Sequence, residues 1–210
     1  MPFTTWIQYT IAAIVIALSP GSGAVLSMSH GLAYGVRKAS GTVLGLQIGL
    51  VLVLLVAGAG VGSLLVASET AFMAVKTIGA LYLIYLGLSQ WRARVSAGPV
   101  MDGAVHAQVP PLRKRVLAGF LTNATNPKGI LFMVAVLPQF IDNSRPLMPQ
   151  LAILGVTMVV IDVTVMHGYA YLAQSMQRFF RDARAMKAQN RFFGGMLMLM
   201  GGALFFVKRT

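Results

Sequence analysis

Two charged side chains stand where the surrounding sequence is apolar: Asp162 in "VVIDVTVMHGYA" and Lys128 in "TNATNPKG". A carboxylate at the centre of a bilayer costs on the order of 2.5–3.5 kcal/mol by insertion scales, so such a group faces a pathway or a partner. Asp162 can therefore carry a proton or hold a substrate ammonium, or else be a structural acid, paired with Lys128 or neutral and hydrogen-bonded. Tyr169, seven residues on, returns to a similar face of the helix. Lys128 can reinforce an anion site or snorkel toward the basic residues that end at Arg115.

The same stretches contain helix breakers. In "ALSPGSGA" (17–24), Ser19 is followed by Pro20, Gly21 and Gly23, and in "TNATNPKG" Asn126 offers a helix N-cap with Pro127 at the first helical position. In hydrocarbon each unsatisfied backbone group costs several kcal/mol, so a break survives where it is buried in protein or lines a watery cavity. Each restarted helix exposes N–H groups bearing roughly half a positive charge, a cradle for a carboxylate. The alternative for either proline is a plain kink. Gln47 sits in "GTVLGLQIG" beside a stripe of Gly41, Gly45 and Gly49, which suits close helix packing; Gln47 itself can bridge helices or touch substrate. His167 and His30 read as local hydrogen-bonding or packing residues, with a proton relay as the alternative for His167. Asn123 and Thr125 complete a glycosylation sequon that a segment inside the bilayer cannot use.

The elements that must position these groups follow from composition. The 210 residues are 57% hydrophobic and 10% charged, against about 25% charged in soluble domains, so this is a membrane protein. Apolar runs place six spans at roughly 5–33, 41–66, 70–91, 116–140, 148–175 and 192–208, the first broken at Pro20 and the fourth near Pro127. The expected fold is an all-α integral membrane domain over residues 1–210. It comprises two inverted three-helix repeats, about 1–91 and 116–210, joined by a cytoplasmic linker at 92–115. The two prolines are 107 residues apart, as are the starts of the second and fifth spans. Two three-span halves joined in this way have opposite orientations, and their broken helices meet near the midplane.

Twelve of the 17 Lys and Arg residues fall in the first, third and fifth connections, and three fall in the other connections and termini. Basic loops stay cytoplasmic, which puts both termini outside if all six segments span; a five-span reading would move one terminus. This scatter explains the net charge of +12 better than nucleic-acid binding does. The basic connections should attract anionic lipid, above all 176–191, where Met176, Phe179, Phe180, Ala183 and Met186 fall near helical spacing with Arg178, Arg181, Arg184 and Lys187 elsewhere around the axis, so that the segment lies on the inner leaflet; the alternative is a solvated loop. Lys76 snorkels outward from the third span. With no cysteine there is no thiolate metal site or dithiol relay, and no paired acids, zinc spacing or phosphate loop supports an enzyme or a cofactor.

"ALSPGSGA", "TNPKGILFMVAVLPQFI", "GALYLIYLGLSQWRA" and "VVIDVTVMHGYAYLA" resemble the LysE/RhtB family of bacterial inner-membrane amino-acid exporters over essentially the whole chain. "SPGSG" with "AGFLTNATNPK" is similar to its homoserine/homoserine lactone branch. The resemblance implies export of small amino acids or derivatives, such as homoserine, homoserine lactone or threonine, by proton antiport. It carries functional roles onto Ser19, Pro20, Gly21, Asn126, Pro127, Lys128 and Asp162. Three positions depart from the family pattern: Ser22 in place of a Pro, Leu50 in place of an Asp, and Val165 in place of an aromatic. The rival readings are an exporter of another solute or a cation on the same fold, and a noncatalytic membrane scaffold whose glycine stripe binds a partner helix. Exposed glycine faces would also permit a homodimer.

Overall fold

The computed structural model describes residues 1–67, 69–92, 109–142, 144–175 and 183–206, and every regular element among them is helical. In chain order these are α1 (Phe3–Leu18), α2 (Ser22–Tyr34), α3 (Val36–Ala67), α4 (Glu69–Arg92), α5 (Leu112–Ala124), α6 (Pro127–Ala135), a 3-10 turn (Leu137–Phe140), α7 (Leu147–Ser175) and α8 (Ala183–Leu204). The protein is an all-α membrane protein. Val36–Gly58 of α3 and the whole of α7 are long and apolar enough to cross a bilayer, with mean hydropathies of 2.2 and 1.9. α1 and α2 meet at 56° across the first break and pass the same test only together. Thr77–Ser89, Pro127–Phe140 and Gly194–Ala203 are apolar but shorter, the second of them cut off from α5 by the polar 122–126 segment.

Two boundaries differ from the sequence expectation. The connection at 35–40 shrinks to Gly35, whose φ of 77° turns the chain in a single residue, so Val36 onward is already helix. α8 begins at Ala183 instead of 192, since 183–191 is rich in good helix formers. The linker residues 93–108, the stretch 176–182 with Met176, Arg178, Phe179, Phe180 and Arg181, and the side chains of Lys76, Ala183 and Met186 lie outside the described residues.

α3 is the central element. Its Gly45 lies so close to the Val116 carbonyl of α5 that a Cβ there would overlap it, and Gly119 of α5 meets the Thr42 carbonyl of α3 in the same way. Gly41 and Gly49 continue the seam against Arg115, Phe120 and Ala124. The glycine stripe is therefore covered by α5 of the same chain and supplies no bare face for a second copy or a partner helix. Beside that seam α3 shows Ile48, Leu52 and Leu55 to the surroundings, as a lipid-facing surface should, while Val43, Gln47, Leu50 and Leu54 on its opposite side are buried. A second close crossing pairs Gly87 of α4 with Gly194 of α8, while α7 packs on α2 and α3.

Between α1, α3, α4, α6 and α7 lies the core, which includes Tyr9, Ile16, Leu54, Leu83, Phe132 and Leu154. One end of the bundle is closed by basic and amide groups: Arg115 donates to the Lys38 and Pro110 carbonyls, and Gln174 Oε1 accepts from the Val36 amide. At the other end, Pro2 and Thr5 share a surface hollow with Gln139–Asp142 and Ser144. There the Asp142 carboxylate accepts from the Ser144 hydroxyl (2.6 Å) and amide (3.0 Å) and pairs with Arg145, 3.1 Å away. These bonds, the Ser144 hydroxyl foremost, hold the Asp142 carboxyl below the ordinary carboxylate range.

Candidate functional site

Each break is built locally. Ser19 ends α1 with its amide on the Val15 carbonyl, Pro20 can donate nothing, and α2 restarts from extended Gly21, whose carbonyl accepts from Val25 at 2.9 Å. At the second break Asn126 caps α6, its Oδ1 accepting from the Lys128 amide at 3.1 Å, with Pro127 in the first turn. Asn123 Nδ2, one turn earlier, donates to the Leu46 carbonyl at 2.7 Å and ties the end of α5 to α3.

Both breaks open onto one cavity of about 40 Å³. Ser19, Gly21, Gly23, Asn126, Lys128 and Asp162 supply its polar wall, and Ile16, Leu46, Leu50, Met158 and Met166 its apolar wall. That volume has room for little more than a water, whose share of the liquid is about 30 Å³, and falls far short of the roughly 300 Å³ at which small-molecule pockets begin. In this conformation the hollow is too small to hold an amino acid. The rings of Pro20 and Pro127 break the helices without lining the hollow, and Gln47 and Tyr169 stand behind its wall.

Asp162, 8% exposed, accepts from Gln47 Nε2 at 2.7 Å, and Gln47 is itself 7% exposed, so the amide bridges α3 and α7 through the acid. No ion pair joins Asp162 to Lys128. Lys128 does not snorkel, and its Nζ lies beside Gly21, the N-cap of α2. Its Nζ donates to the carbonyls of Ile16 (3.1 Å) and Ser19 (2.5 Å) at the end of α1. The Tyr169 hydroxyl takes the neighbouring Leu18 carbonyl at 2.6 Å. A helix end leaves carbonyls without intrahelical partners, and here side chains from α6 and α7 fill that role. A Cβ on Gly21 would lie 3.1 Å from Lys128 Nζ, so the ammonium sits against the first break.

His30 and His167 tie helices together beyond the local bonding expected of them: His30 Nδ1 on α2 bonds the Thr42 hydroxyl of α3 at 2.5 Å, and His167 on α7 bonds the Ser40 hydroxyl of α3 at 3.0 Å as well as the Val163 carbonyl of its own helix at 2.8 Å. Among the described residues no cluster of three His, Cys, Asp or Glu side chains could hold a metal ion. Sequence reasoning passed over Asn123, treating it only as an unusable sequon. Its signal was a second amide one helical turn before Asn126 in an apolar run. Leu50, where the family pattern has an Asp, lies in the apolar wall of the cavity.

Against known proteins, residues 14–208 match the family described as LysE type translocator. An uncharacterized membrane protein of Vibrio cholerae is 43% identical over 201 residues, covering 96% of both chains. The homoserine/homoserine lactone efflux protein of Salmonella typhi is 41% identical over 204 residues, 97% of each chain, and the leucine efflux protein of Klebsiella pneumoniae is 32% identical over 77% of this chain and 75% of its own. No solved structure matches the chain. A membrane bundle whose two interrupted helices share one polar hollow agrees with that match, and the chain belongs to the LysE-type translocator family.

Proposed function

We propose that the protein is a multi-pass transporter of the bacterial inner membrane that exports small amino acids or their derivatives, homoserine and homoserine lactone foremost, in exchange for protons. The observation that carries this reading is that both helix breaks and Asp162 line one cavity. The N-termini of α2 and α6 are the cradle for the substrate carboxylate, or for the carbonyl of a lactone, and Asp162 serves the ammonium or the proton. A proton moving inward gains about 2.3 kcal/mol per 100 mV of potential, which drives solute outward. The efflux named for the Salmonella relative, at 41% identity across both chains, supports the substrate class.

The architecture under this reading is two inverted repeats: the pair α1–α2 with α3 and α4, and the pair α5–α6 with α7 and α8. Packing supports it, since α3 contacts both parts of the second broken helix and α7 both parts of the first. Six crossings with the basic end in the cytoplasm follow, the third and fifth connections meeting anionic lipid there.

The test uses purified protein in proteoliposomes loaded with labelled homoserine. An inward proton gradient should speed its efflux, and a protonophore should abolish the acceleration. Absence of flux for homoserine, its lactone, threonine and leucine by folded protein refutes amino-acid export and favours export of another solute or a cation. Flux indifferent to the protonophore refutes antiport.

A further inference from the structure

Lys128 Nζ is a primary ammonium, and its place in the molecule is specific. It donates to two carbonyls, Ile16 at 3.1 Å and Ser19 at 2.5 Å, where the end of α1 concentrates about half a negative charge. Ile16, Ala17 and Ser19 are also part of the cavity wall, so this seat opens onto the same hollow as the two helix N-termini. The residue carrying the ammonium begins α6, whose first-turn amides form part of the anion cradle. Asp162, the other group able to meet an ammonium, already accepts from Gln47 at 2.7 Å.

Resting on the export reading above, we propose that the carbonyls of Ile16 and Ser19 are the subsite for the substrate ammonium, and that Lys128 occupies it as a tethered stand-in while the transporter is empty and closed. An entering amino acid carries the same primary ammonium and takes the lysine's place. The released side chain, anchored two residues from Asn126, turns to the substrate carboxylate at the N-termini of α2 and α6. Exchange of one ammonium for another keeps the α1 carbonyls satisfied throughout, which a closed site in hydrocarbon requires. Asp162 is thereby left to the proton alone. Selectivity follows: the subsite demands at least two N–H donors pointing at two carbonyls, which an N-acetylated or quaternary amine does not offer.

The test is chemical rescue in the purified full-length protein. In Lys128→Ala, ethylammonium should raise the unfolding temperature in a saturable way, tetramethylammonium should not, and wild type should respond to neither. Homoserine should shift the ethylammonium titration of that variant to higher concentration, tenfold at ten times its own dissociation constant, as one seat requires. If Lys128→Ala does not fold unaided, the same two amines are compared for recovery of folded protein, which ethylammonium should restore and tetramethylammonium should not. Equal rescue by both amines, or none, overturns the ammonium seat even if homoserine export stands. Additive effects of ethylammonium and homoserine overturn the displacement and return the substrate ammonium to Asp162. If homoserine stabilises neither wild type nor variant, the export reading falls and takes the substrate part of the inference with it.

Discussion

Gly45→Ala tests whether the seam between α3 and α5 is as close as described. An added Cβ would overlap the Val116 carbonyl oxygen and lie 2.8 Å from both the Val116 carbonyl carbon and the Phe120 amide nitrogen. Ordinary carbon contacts sit near 3.5–4.0 Å, so α5 must retreat by about 1 Å, and backbone offers no rotamer to absorb the shift. Overpacking of this kind costs about 1–3 kcal/mol. The retreat also stretches the 2.7 Å bond from Asn123 to the Leu46 carbonyl, worth about 0.5–1.5 kcal/mol. Alanine returns about 1 kcal/mol through its helix propensity. The balance is a net loss of about 1–3 kcal/mol, or several degrees in thermal unfolding at about 2–4 °C per kcal/mol for a chain of this size. The matched control is Gly168→Ala on α7, where a Cβ meets nothing within 4 Å, and which should gain up to about 1 kcal/mol. Circular dichroism melts in detergent compare the two directly. If Gly45→Ala melts at or above Gly168→Ala, the close seam is wrong.

Other expectations follow from the same geometry. Pro127→Ala restores a backbone donor at the second break and should let α5 and α6 approach one continuous helix, lowering homoserine export; unchanged export in proteoliposomes would reduce the break to a kink. Asp162→Asn should insert and fold yet lose proton-driven efflux, and wild-type rates would remove Asp162 from the coupling. Ser144→Ala deletes the largest contribution holding the Asp142 carboxyl low, so that group should titrate at higher pH by carbon NMR of aspartate-labelled protein. Because the folded-state value is depressed, the stabilisation from ionised Asp142 is full above the unfolded value of about 3.9 and disappears as pH falls through the folded value. A titration unmoved by the substitution would show that the hydroxyl contributes nothing.

The features legible in the sequence were those whose causes are local. An Asn126 cap with Pro127 behind it depends on atoms two residues apart, and the structure forms it as expected. The same holds for the break after Ser19. The glycine stripe announced a close neighbour, but a 3.6-residue period says only which face is narrow and nothing of which helix fills it; α5 does. Lys128 was visible as a charge among apolar residues, whereas its acceptors lie 109 and 112 positions away and are backbone carbonyls, which no side-chain pattern encodes. Gln47 and Asp162 are 115 positions apart and each was identifiable as a buried polar group; their direct bond required the packing of α3 on α7. Polar composition made 35–40 look like a loop, because VRKAS is as compatible with a helix start as with a turn, and Gly35 alone decides between them.

The glycine notches have a consequence for biogenesis. Gly31 on Ala170, Gly45 on Val116, Gly79 on Ala135 and Gly87 on Gly194 each join an early helix to one made later. While α1–α4 leave the ribosome, these grooves are bare to lipid and keep their final shape only once α5–α8 arrive to fill them. A chain that stops after α4 therefore leaves all four notches without the helices that fill them.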